Sequence, residues 1–385
     1  MKLLPFITKQ ITSKDFQKII LLFISWKFIT VVALLVSIVA VPLWSRHFLG
    51  GSYDNYILNP VLFSWANFDG EHYLAIAQRG YEPLNHSFFP LYPFLIKAVS
   101  FLSSDIRFLV FIGLSLSTVA FLFSLIILWK LTEMDYKKNV ALWTTVALVV
   151  FPSSFYFGLV YTESLFLLLV LGSFYCYRKN KWWWAGILGG LASATRITGI
   201  FLLPALLIEW GQSKEKKLPL QLLLIPIGLG SYMAYLYLLS GDPFLFYNEL
   251  FVFGQQRQGN FVLLPQVFYR YIFMLATIGW ENIIFWTILL EFTTSLLSVL
   301  LIIIGFILKL RPSYLVFSIL SFILPTLTGS FSSLPRYTLT TFPLFILLGL
   351  ILSKAQKFVR IGIVILSGLL LLILSGMFFR GYWIA

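Results

Sequence analysis

Ile19–Trp44 reads IILLFISWKFITVVALLVSIVAVPLW, and this apolar run decides the class of protein. It is longer than the roughly 20 residues that an α-helix needs to cross a bilayer. It is also too long for the core of a signal peptide and has no evident small-residue cleavage site, so we interpret it as a retained first span. Lysines precede it at Lys2, Lys9, Lys14 and Lys18.

The composition of the 385 residues agrees with this interpretation. Apolar residues make up 59% of the chain, charged residues make up 11%, and the mean hydropathy is +0.90. Soluble proteins carry about 25% charged residues, so a water-soluble globule is excluded. An aromatic content of 18% also excludes an intrinsically disordered chain.

Further apolar segments of similar character follow along the chain. They lie near residues 108–129, 139–157, 161–177, 183–210, 218–239, 282–308, 314–333, 337–353 and 361–379. Segments of this length and composition predict transmembrane helices. We therefore expect one all-α polytopic domain over residues 1–385, with about eleven membrane segments.

Short basic loops separate many of these segments. Together with the N-terminal lysines they hold 18 of the 28 basic residues: Lys2, Lys9, Lys14, Lys18, Lys130, Lys137, Lys138, Arg178, Lys179, Lys181, Lys214, Lys216, Lys217, Lys309, Arg311, Lys354, Lys357 and Arg360. The positive-inside rule places these loops, and residues 1–18, in the cytoplasm. The net charge of +13 is then a topogenic signal beside anionic membrane lipids, and it does not indicate nucleic-acid binding.

The intervening loops are acidic. Residues 46–107 and 241–281 hold most of the carboxylates, and we expect them to form the first and second large extracytoplasmic loops.

Residues 183–210 do not fit a simple alternation, because basic loops flank both ends. We favour a broken hairpin with a polar apex at residues 195–199. Non-helical backbone at membrane depth is tolerated only where it lines a cavity. The alternative is a single crossing, compensated by an unrecognised span around residues 262–280.

The first extracytoplasmic loop carries the strongest candidate for acid–base chemistry. If a helix includes Asp69, then Asp69, His72 and Tyr73 share one face, and Glu71 projects elsewhere. A carboxylate with a neighbouring imidazole and phenol suits a general base, with the other side chains positioning acceptor or donor. The alternative is that Asp69 caps an interfacial helix.

An aromatic, proline-rich stretch follows at residues 87–94, with the sequence SFFPLYPF. It predicts a turn into an interfacial helix that runs to about Ser103, with aromatic rings at the level of the lipid headgroups.

Three further candidate site residues lie in or beside apolar segments. Arg196, midway in residues 183–210, needs an anionic partner, and a lipid phosphate suits its guanidinium best. The alternative is a salt bridge with Glu163 or Asp69. Glu163 falls in the first turn of a span, where it either positions donor or acceptor or pairs with an arginine. Arg336 is a second candidate for binding phosphate.

These motifs occur together in one order. They are WANFDGEHY at 65–73, GY at 80–81, FFPLYP at 88–93, PSS at 152–154, YTESL at 161–165, ATRITG at 194–199, GDPF at 241–244 and PRY at 335–337. In this order and spacing the chain resembles the PIG-V-type mannosyltransferase family, relatives of GPI mannosyltransferase 2 within the GT-C glycosyltransferase superfamily.

The resemblance implies a GT-C-like bundle and a transferase site on the non-cytoplasmic face. The donor would be a polyprenyl- or dolichyl-phosphate sugar, the acceptor a lipid or glycan, and the anomeric configuration would invert. The first-loop aspartate, Asp69, would deprotonate the acceptor hydroxyl. The membrane would be the cell membrane in a prokaryote and that of the endoplasmic reticulum in a eukaryote.

We expect no cofactor, because a cationic clamp on the leaving phosphate suffices. Asp69, Glu71 and Glu163 could nevertheless supply oxygen ligands to a divalent metal. Two other functions stay open, namely a transporter or flippase of a lipid-linked sugar and a non-catalytic scaffold subunit. Transporters usually carry paired repeats with ionisable groups near the membrane midplane.

Overall fold

A computed structural model describes residues 13–213, 217–251 and 261–384. The predicted cytoplasmic residues Lys2, Lys9, Lys214 and Lys216 lie outside these ranges. Every regular element within them is a helix, which confirms the all-α prediction.

The α-helices of the described residues are numbered here in chain order. They are α1 Ser13–Ala40, α2 Tyr53–Leu58, α3 Pro60–Phe63, α4 Asp69–Arg79, α5 Leu91–Lys97, α6 Ile106–Glu133, α7 Lys138–Val149, α8 Glu163–Arg178, α9 Trp182–Ser193, α10 Leu202–Gly211, α11 Ile225–Ser240, α12 Leu245–Asn248, α13 Leu264–Thr277, α14 Ile283–Ile307, α15 Pro312–Thr326, α16 Leu334–Thr338, α17 Phe342–Lys354 and α18 Lys357–Phe379. Short 3₁₀ turns lie at Ser64–Ala66, Ser154–Gly158, Ile197–Phe201, Leu220–Leu224 and Glu249–Phe251.

Several helices are long and apolar enough to cross a membrane. Five reach that length: Lys14–Ala40, Ile106–Glu133, Leu220–Ser240, Ile283–Ile307 and Lys357–Phe379. Shorter apolar helices cover Ile197–Gly211, Pro312–Thr326 and Phe342–Lys354. Large apolar side chains such as Val39, Leu238 and Phe358 point away from the bundle and are more than four-fifths exposed. The protein is therefore a multi-pass membrane protein whose outer surface suits lipid.

The loops that the sequence predicts to be cytoplasmic meet at one end of the bundle, which we call the basic end. There Lys138 Nζ lies 2.5 Å from Asp15 Oδ2, and Arg178 Nη1 lies 2.9 Å from Asp135 Oδ2. Arg311 Nη2 reaches the same Asp135 carboxylate at 2.7 Å. The basic loops are thus neighbours in space as well as similar in composition.

Residues 182–211 form the predicted broken hairpin. Helix α9 leaves the basic end, the chain turns at residues 194–201, and α10 returns. Arg178, before the hairpin, and Glu209, at its end, lie 3.6 Å apart (Nε to Oε1), whereas the apex residue Arg196 bonds Glu163 at the opposite end. Both ends of the segment therefore lie at the basic end.

The alternative, which needs a span around residues 262–280, does not fit the packing of this segment. Helix α13 covers Leu264–Thr277 but packs beside the N-terminal half of α14, where the Tyr271 hydroxyl donates to Glu291 Oε2 at 2.5 Å. Val262 N–H bonds Leu327 O just after α15. Both contacts lie toward the end opposite the basic loops, so α13 does not cross the bundle.

Glycines hold the hairpin close to α11. A Cβ atom at Gly228 would lie 1.9 Å from the Gly190 carbonyl oxygen, so only glycine allows this approach. The Ser193 hydroxyl donates to Ile225 O at 2.5 Å across the same contact. This packing fixes the position of the apex that carries Arg196.

The aromatic stretch after α4 differs from the prediction in the length of its helix and in the burial of Tyr92. Helix α5 ends at Lys97 instead of continuing to Ser103. Tyr92 is fully buried, and its hydroxyl donates to Gly113 O at 2.9 Å, so it belongs to the bundle core. Phe94 and Phe101 remain largely exposed, as headgroup anchors would be.

Candidate active site

A cavity of about 450 Å³ opens at the end of the bundle opposite the basic end. Five of the predicted site residues line it: Asp69, His72, Tyr73, Arg196 and Arg336. The other two, Glu71 and Glu163, do not contribute to its wall. The fold therefore brings most of the predicted site together from three separate parts of the chain.

Helix α4 presents Asp69, His72 and Tyr73 on the face that meets the cavity, as the helical spacing predicted. Asp69 is the first residue of the helix, and its N–H donates to the Tyr161 hydroxyl at 3.2 Å. That hydroxyl in turn donates to Asn67 O at 2.9 Å. A buried tyrosine thus fixes the backbone at the helix start, and Asp69 is the first residue of α4 rather than its cap.

Four charged side chains, which we call the four-charge cluster, join α4, α8, the hairpin apex and α16. Arg336 Nη1 donates to Asp69 Oδ2 at 2.5 Å, and Arg336 Nε lies 3.1 Å from Glu163 Oε1. Arg196 Nη1 donates to the same Glu163 oxygen at 2.6 Å. Glu163 therefore sits between two arginines, and the salt bridge that the sequence left open for Arg196 is present.

Burial makes this pairing obligatory. Glu163 is 1% exposed and begins α8, so it would be costly there without a cationic partner. Aromatic rings complete the surroundings of the arginines. The Arg196 guanidinium carbon lies 4.9 Å from the ring centre of Tyr337, and that of Arg336 lies 5.3 Å from the same ring.

Part of the cluster faces the cavity with hydrogen-bonding capacity to spare. Within the described residues, Arg196 uses only Nη1, toward Glu163 and Thr162, which leaves Nε and Nη2 for a ligand. Asp69 Oδ2 accepts a hydrogen bond from Arg336, and Asp69 Oδ1 makes no hydrogen bond to a described residue. The cavity therefore offers both a cationic donor group and a carboxylate oxygen to a bound molecule.

His72 and Tyr73 bond to neighbours on other elements. His72 Nδ1 lies 2.6 Å from Asn85 Oδ1, and its ring stacks on Phe88 with the centroids 4.4 Å apart. The Tyr73 hydroxyl lies 3.4 Å from Thr162 Oγ1. Both rings form part of the cavity wall, while Arg336 is the residue that holds the Asp69 carboxylate.

Burial alters the acidity of Glu71 and Tyr73 on α4. Burial raises the pKa of the Glu71 carboxyl to about 7. Burial, and after it the charges of Asp69 and Glu163, raise the pKa of Tyr73 well above its ordinary value, so that this phenol stays protonated.

A divalent metal held jointly by Asp69, Glu71 and Glu163 would require these carboxylates to converge. In the parts of the chain that the structure describes, no three His, Cys, Asp or Glu side chains lie close enough to share a metal ion. Glu163 Oε1 instead forms ion pairs with two arginines, whereas Oε2 is buried without a hydrogen-bond partner among the described residues.

The sequence did not single out two residues that shape the site. Tyr337 lies beneath both arginines, and Thr162 contacts Arg196 and Tyr73. Each directly adjoins a residue that was singled out, Arg336 or Glu163, and adjacency in the chain was the signal available.

Solved structures of other proteins superpose on this fold. ArnT from Cupriavidus metallidurans, bound to undecaprenyl phosphate, superposes with a TM-score of 0.51 at 15% identity, over 90% of this chain and 62% of that one. Its apo state gives 0.50 at 16% identity with the same coverage. The Archaeoglobus fulgidus oligosaccharyltransferase tethered to an acceptor peptide gives 0.46 at 13% identity, over 93% of this chain and 55% of that one.

At these identities the likeness to ArnT shows a common GT-C-type fold, and the chain spans less than two thirds of the ArnT chain. No curated protein matches the sequence. Residues 89–328, well over half of the chain, match glycosyltransferase family 87. The resemblance to PIG-V-type mannosyltransferases is not confirmed by these matches and stays a prediction. The chain belongs to glycosyltransferase family 87.

Proposed function

We propose that this protein transfers a hexose, mannose first among the candidates, from a polyprenyl- or dolichyl-phosphate donor to a hydroxyl of a lipid or glycan acceptor. The observation that carries the proposal is the four-charge cluster, in which Asp69 and two arginines border one cavity.

Arg196 binds the donor phosphate in this proposal. Its Nε and Nη2 form the fork that suits an anionic oxygen pair, and Arg336 adds a second positive charge at the cavity wall. The structure of ArnT with undecaprenyl phosphate supports a lipid phosphate as the ligand, by analogy of fold. Arginines that stabilise the leaving phosphate make a general acid or a metal unnecessary.

Asp69 acts as general base. The acceptor oxygen attacks the anomeric carbon on the face opposite the phosphate, and its proton passes to the Asp69 carboxylate. A bond forms between the acceptor oxygen and that carbon, the bond from carbon to phosphate oxygen breaks, and the polyprenyl phosphate leaves with the electron pair. The configuration inverts because attack and departure occur on opposite faces.

The remaining predicted residues have supporting roles. Glu163 fixes the two arginines rather than touching donor or acceptor, since it contacts both and does not reach the cavity. His72 and Tyr73 form a wall against which the substrates lie. Glu71 lies off this wall, so we assign it no part in the reaction.

The site opens at the end opposite the basic loops. The positive-inside rule then assigns it to the non-cytoplasmic face, where lipid-phosphate sugars and their acceptors share the plane of the membrane. The protein would lie in the cell membrane of a prokaryote or in the endoplasmic reticulum membrane of a eukaryote.

The test is a transfer assay with the full chain purified in detergent. Radiolabelled polyprenyl-phosphate mannose, glucose and galactose are each incubated with a membrane lipid extract, and labelled product is separated by chromatography. Product that forms with wild type and not with Asp69→Asn supports the proposal. Passage of the labelled lipid across liposomes, with no glycosidic bond formed, would instead support the transporter.

A further inference from the structure

Helix α15 contributes one wall of the cavity, and one of its hydroxyl groups differs from the others. Ser313 donates to a carboxylate at the basic end, and Ser318 and Thr326 donate to backbone carbonyls of their own helix. The Ser321 hydroxyl has no hydrogen-bond partner among the described residues. Ser321 is only 7% exposed, and it lines the cavity.

A proline removes the usual backbone donor at the same place. Pro325 lies four residues after Ser321 within α15 and has no N–H. The Ser321 carbonyl therefore cannot accept the hydrogen bond that would continue the helix. The Ser321 hydroxyl thus lacks a partner among the described residues, and the Ser321 carbonyl lacks the N–H that a helix would ordinarily supply. A buried polar group without a partner is costly unless a ligand supplies one.

The chemistry of this pair discriminates between ligands. A sugar hydroxyl can accept from the Ser321 hydroxyl and donate to the Ser321 carbonyl. The phosphate of a polyprenyl-phosphate sugar has no proton to donate at neutral pH, so the carbonyl would repel it. The pair thus selects the sugar over the phosphate.

The rest of the cavity fits a neutral sugar ring. The stacked His72 and Phe88 rings, with Trp383, give it an aromatic wall on which the apolar face of a pyranose can lie. Of the described residues that line it, Asp69 is the only acid, and Arg336 already neutralises it. A cationic amino sugar would therefore lack an acidic partner.

We propose that Ser321 binds a hydroxyl group of a neutral donor sugar and so determines which sugar is transferred. This inference rests on the proposed function and adds a residue that determines its sugar specificity. A site built to hydrogen-bond a substrate hydroxyl discriminates strongly against analogues that lack it.

The experiment compares Ser321→Ala with Ser318→Ala in the full chain. Ser318 is also buried on α15 and does not line the cavity, so it is the matched control. Binding of polyprenyl-phosphate mannose and of sugar-free polyprenyl phosphate is measured by native mass spectrometry. We expect wild type and Ser318→Ala to prefer the mannosylated probe, and Ser321→Ala to lose roughly tenfold of that preference with unchanged affinity for the sugar-free probe.

Monodeoxy mannose donors identify the group that is bound. One deoxy donor should bind wild type as weakly as polyprenyl-phosphate mannose binds Ser321→Ala. When that deoxy donor is combined with Ser321→Ala, the two losses of affinity should not add. If Ser321→Ala does not fold, Ser321→Cys, which keeps the size and weakens the hydrogen bond, takes its place in the same measurements.

Three results would overturn the assignment: no preference for the mannosylated probe in wild type, an unchanged preference in Ser321→Ala, or an equal loss for both probes, which would indicate phosphate binding. The proposed function fails separately. Wild type that prefers the mannosylated probe through Ser321, yet forms no glycosidic product with any acceptor extract, retains the sugar site and is not a transferase.

Discussion

Arg336 Nη1 lies 2.5 Å from Asp69 Oδ2, although 267 positions of sequence separate the two residues. The contact joins the first large loop, which we propose to be extracytoplasmic, to the short helix α16 near the other end of the chain. It sets the proposed base beside a proposed phosphate-binding arginine, with Arg196 one carboxylate away through Glu163. A displacement at one carbon needs the base and the leaving-group clamp on opposite sides of that carbon, so Arg196, which pairs with Glu163 and Thr162, suits the clamp better than Arg336 does.

Asp69→Asn should abolish sugar transfer while the protein stays folded. Asparagine keeps an oxygen that can accept from Arg336 but cannot take the acceptor proton, and loss of a general base costs about 10²- to 10⁴-fold in rate. Single-turnover transfer, donor affinity and the thermal midpoint are measured together, with Glu71→Gln as the matched control on α4. Turnover by Asp69→Asn at the wild-type rate would remove Asp69 from the mechanism.

Arg196→Ala should weaken donor binding by roughly 10- to 150-fold, the range for loss of a charge-assisted hydrogen bond. Arg196→Lys should restore only part of the affinity, because an ammonium cannot form the planar fork. Titration with polyprenyl phosphate measures both variants, and Arg79→Ala, which removes an exposed arginine paired with Glu82, is the control. The arginine would be purely structural under a different outcome. In that case Arg196→Ala would not fold, and a double variant that exchanges Arg196 and Glu163 would fold and bind donor with wild-type affinity.

Arg336→Ala should lower stability more than Arg196→Ala does. Arg336 is buried and contacts both Asp69 and Glu163, so its removal leaves two carboxylates short of their partner. Removing one partner of a buried ion pair lowers the free energy of unfolding by about 3–5 kcal/mol. Thermal unfolding in detergent tests the ranking, and equal midpoints for the two alanine variants would contradict it.

Local patterns in the sequence were sufficient for much of the fold. The face shared by Asp69, His72 and Tyr73 follows from helical spacing, and the broken hairpin follows from basic loops on both sides of one apolar segment. Both depend on neighbours in the chain or on the rule for charges beside a membrane, so they need no knowledge of how helices pack.

The rest of the site depends on packing between distant helices. No spacing rule links Asp69 to Arg336, or brings Trp383 to the cavity beside residues of the first loop. The prediction for the aromatic stretch at residues 87–94 was wrong for Tyr92 for the same reason. The sequence indicated a headgroup anchor, but Tyr92 packs against α6. For Ser321 a weak signal existed in the proline four residues later.

Cysteine labelling should show the C-terminal end of residues 182–211 on the same side as the other basic loops. In a Cys176→Ala background, Ser104→Cys in the first loop should react with an impermeant reagent added to intact cells or right-side-out vesicles. Asn139→Cys and Gly211→Cys should both be protected, and a Cβ at Gly211 meets no neighbouring atom. Labelling at Gly211→Cys with protection at Asn139→Cys would mean that the segment crosses the membrane once.

Glu71 should make stability depend on pH. Burial raises the pKa of its carboxyl from 4.5 to about 7, so the folded protein keeps a proton that the unfolded chain releases. Between about pH 4.5 and 7 the unfolded state binds fewer protons, and stability falls as pH rises; below that window the full contribution is present, and above it the loss is complete, up to about 3 kcal/mol.

Glu71→Gln, which cannot ionise, should therefore have a higher thermal midpoint than wild type at pH 8 and nearly the same midpoint at pH 4.5. Sugar transfer at pH 8 should be retained, because Glu71 does not line the cavity. Thermal midpoints from pH 4.5 to 8 are compared with those of Glu82→Gln, which changes an exposed carboxylate of the same loop. A parallel pH dependence in Glu71→Gln and wild type would show that this carboxyl ionises freely in the folded protein.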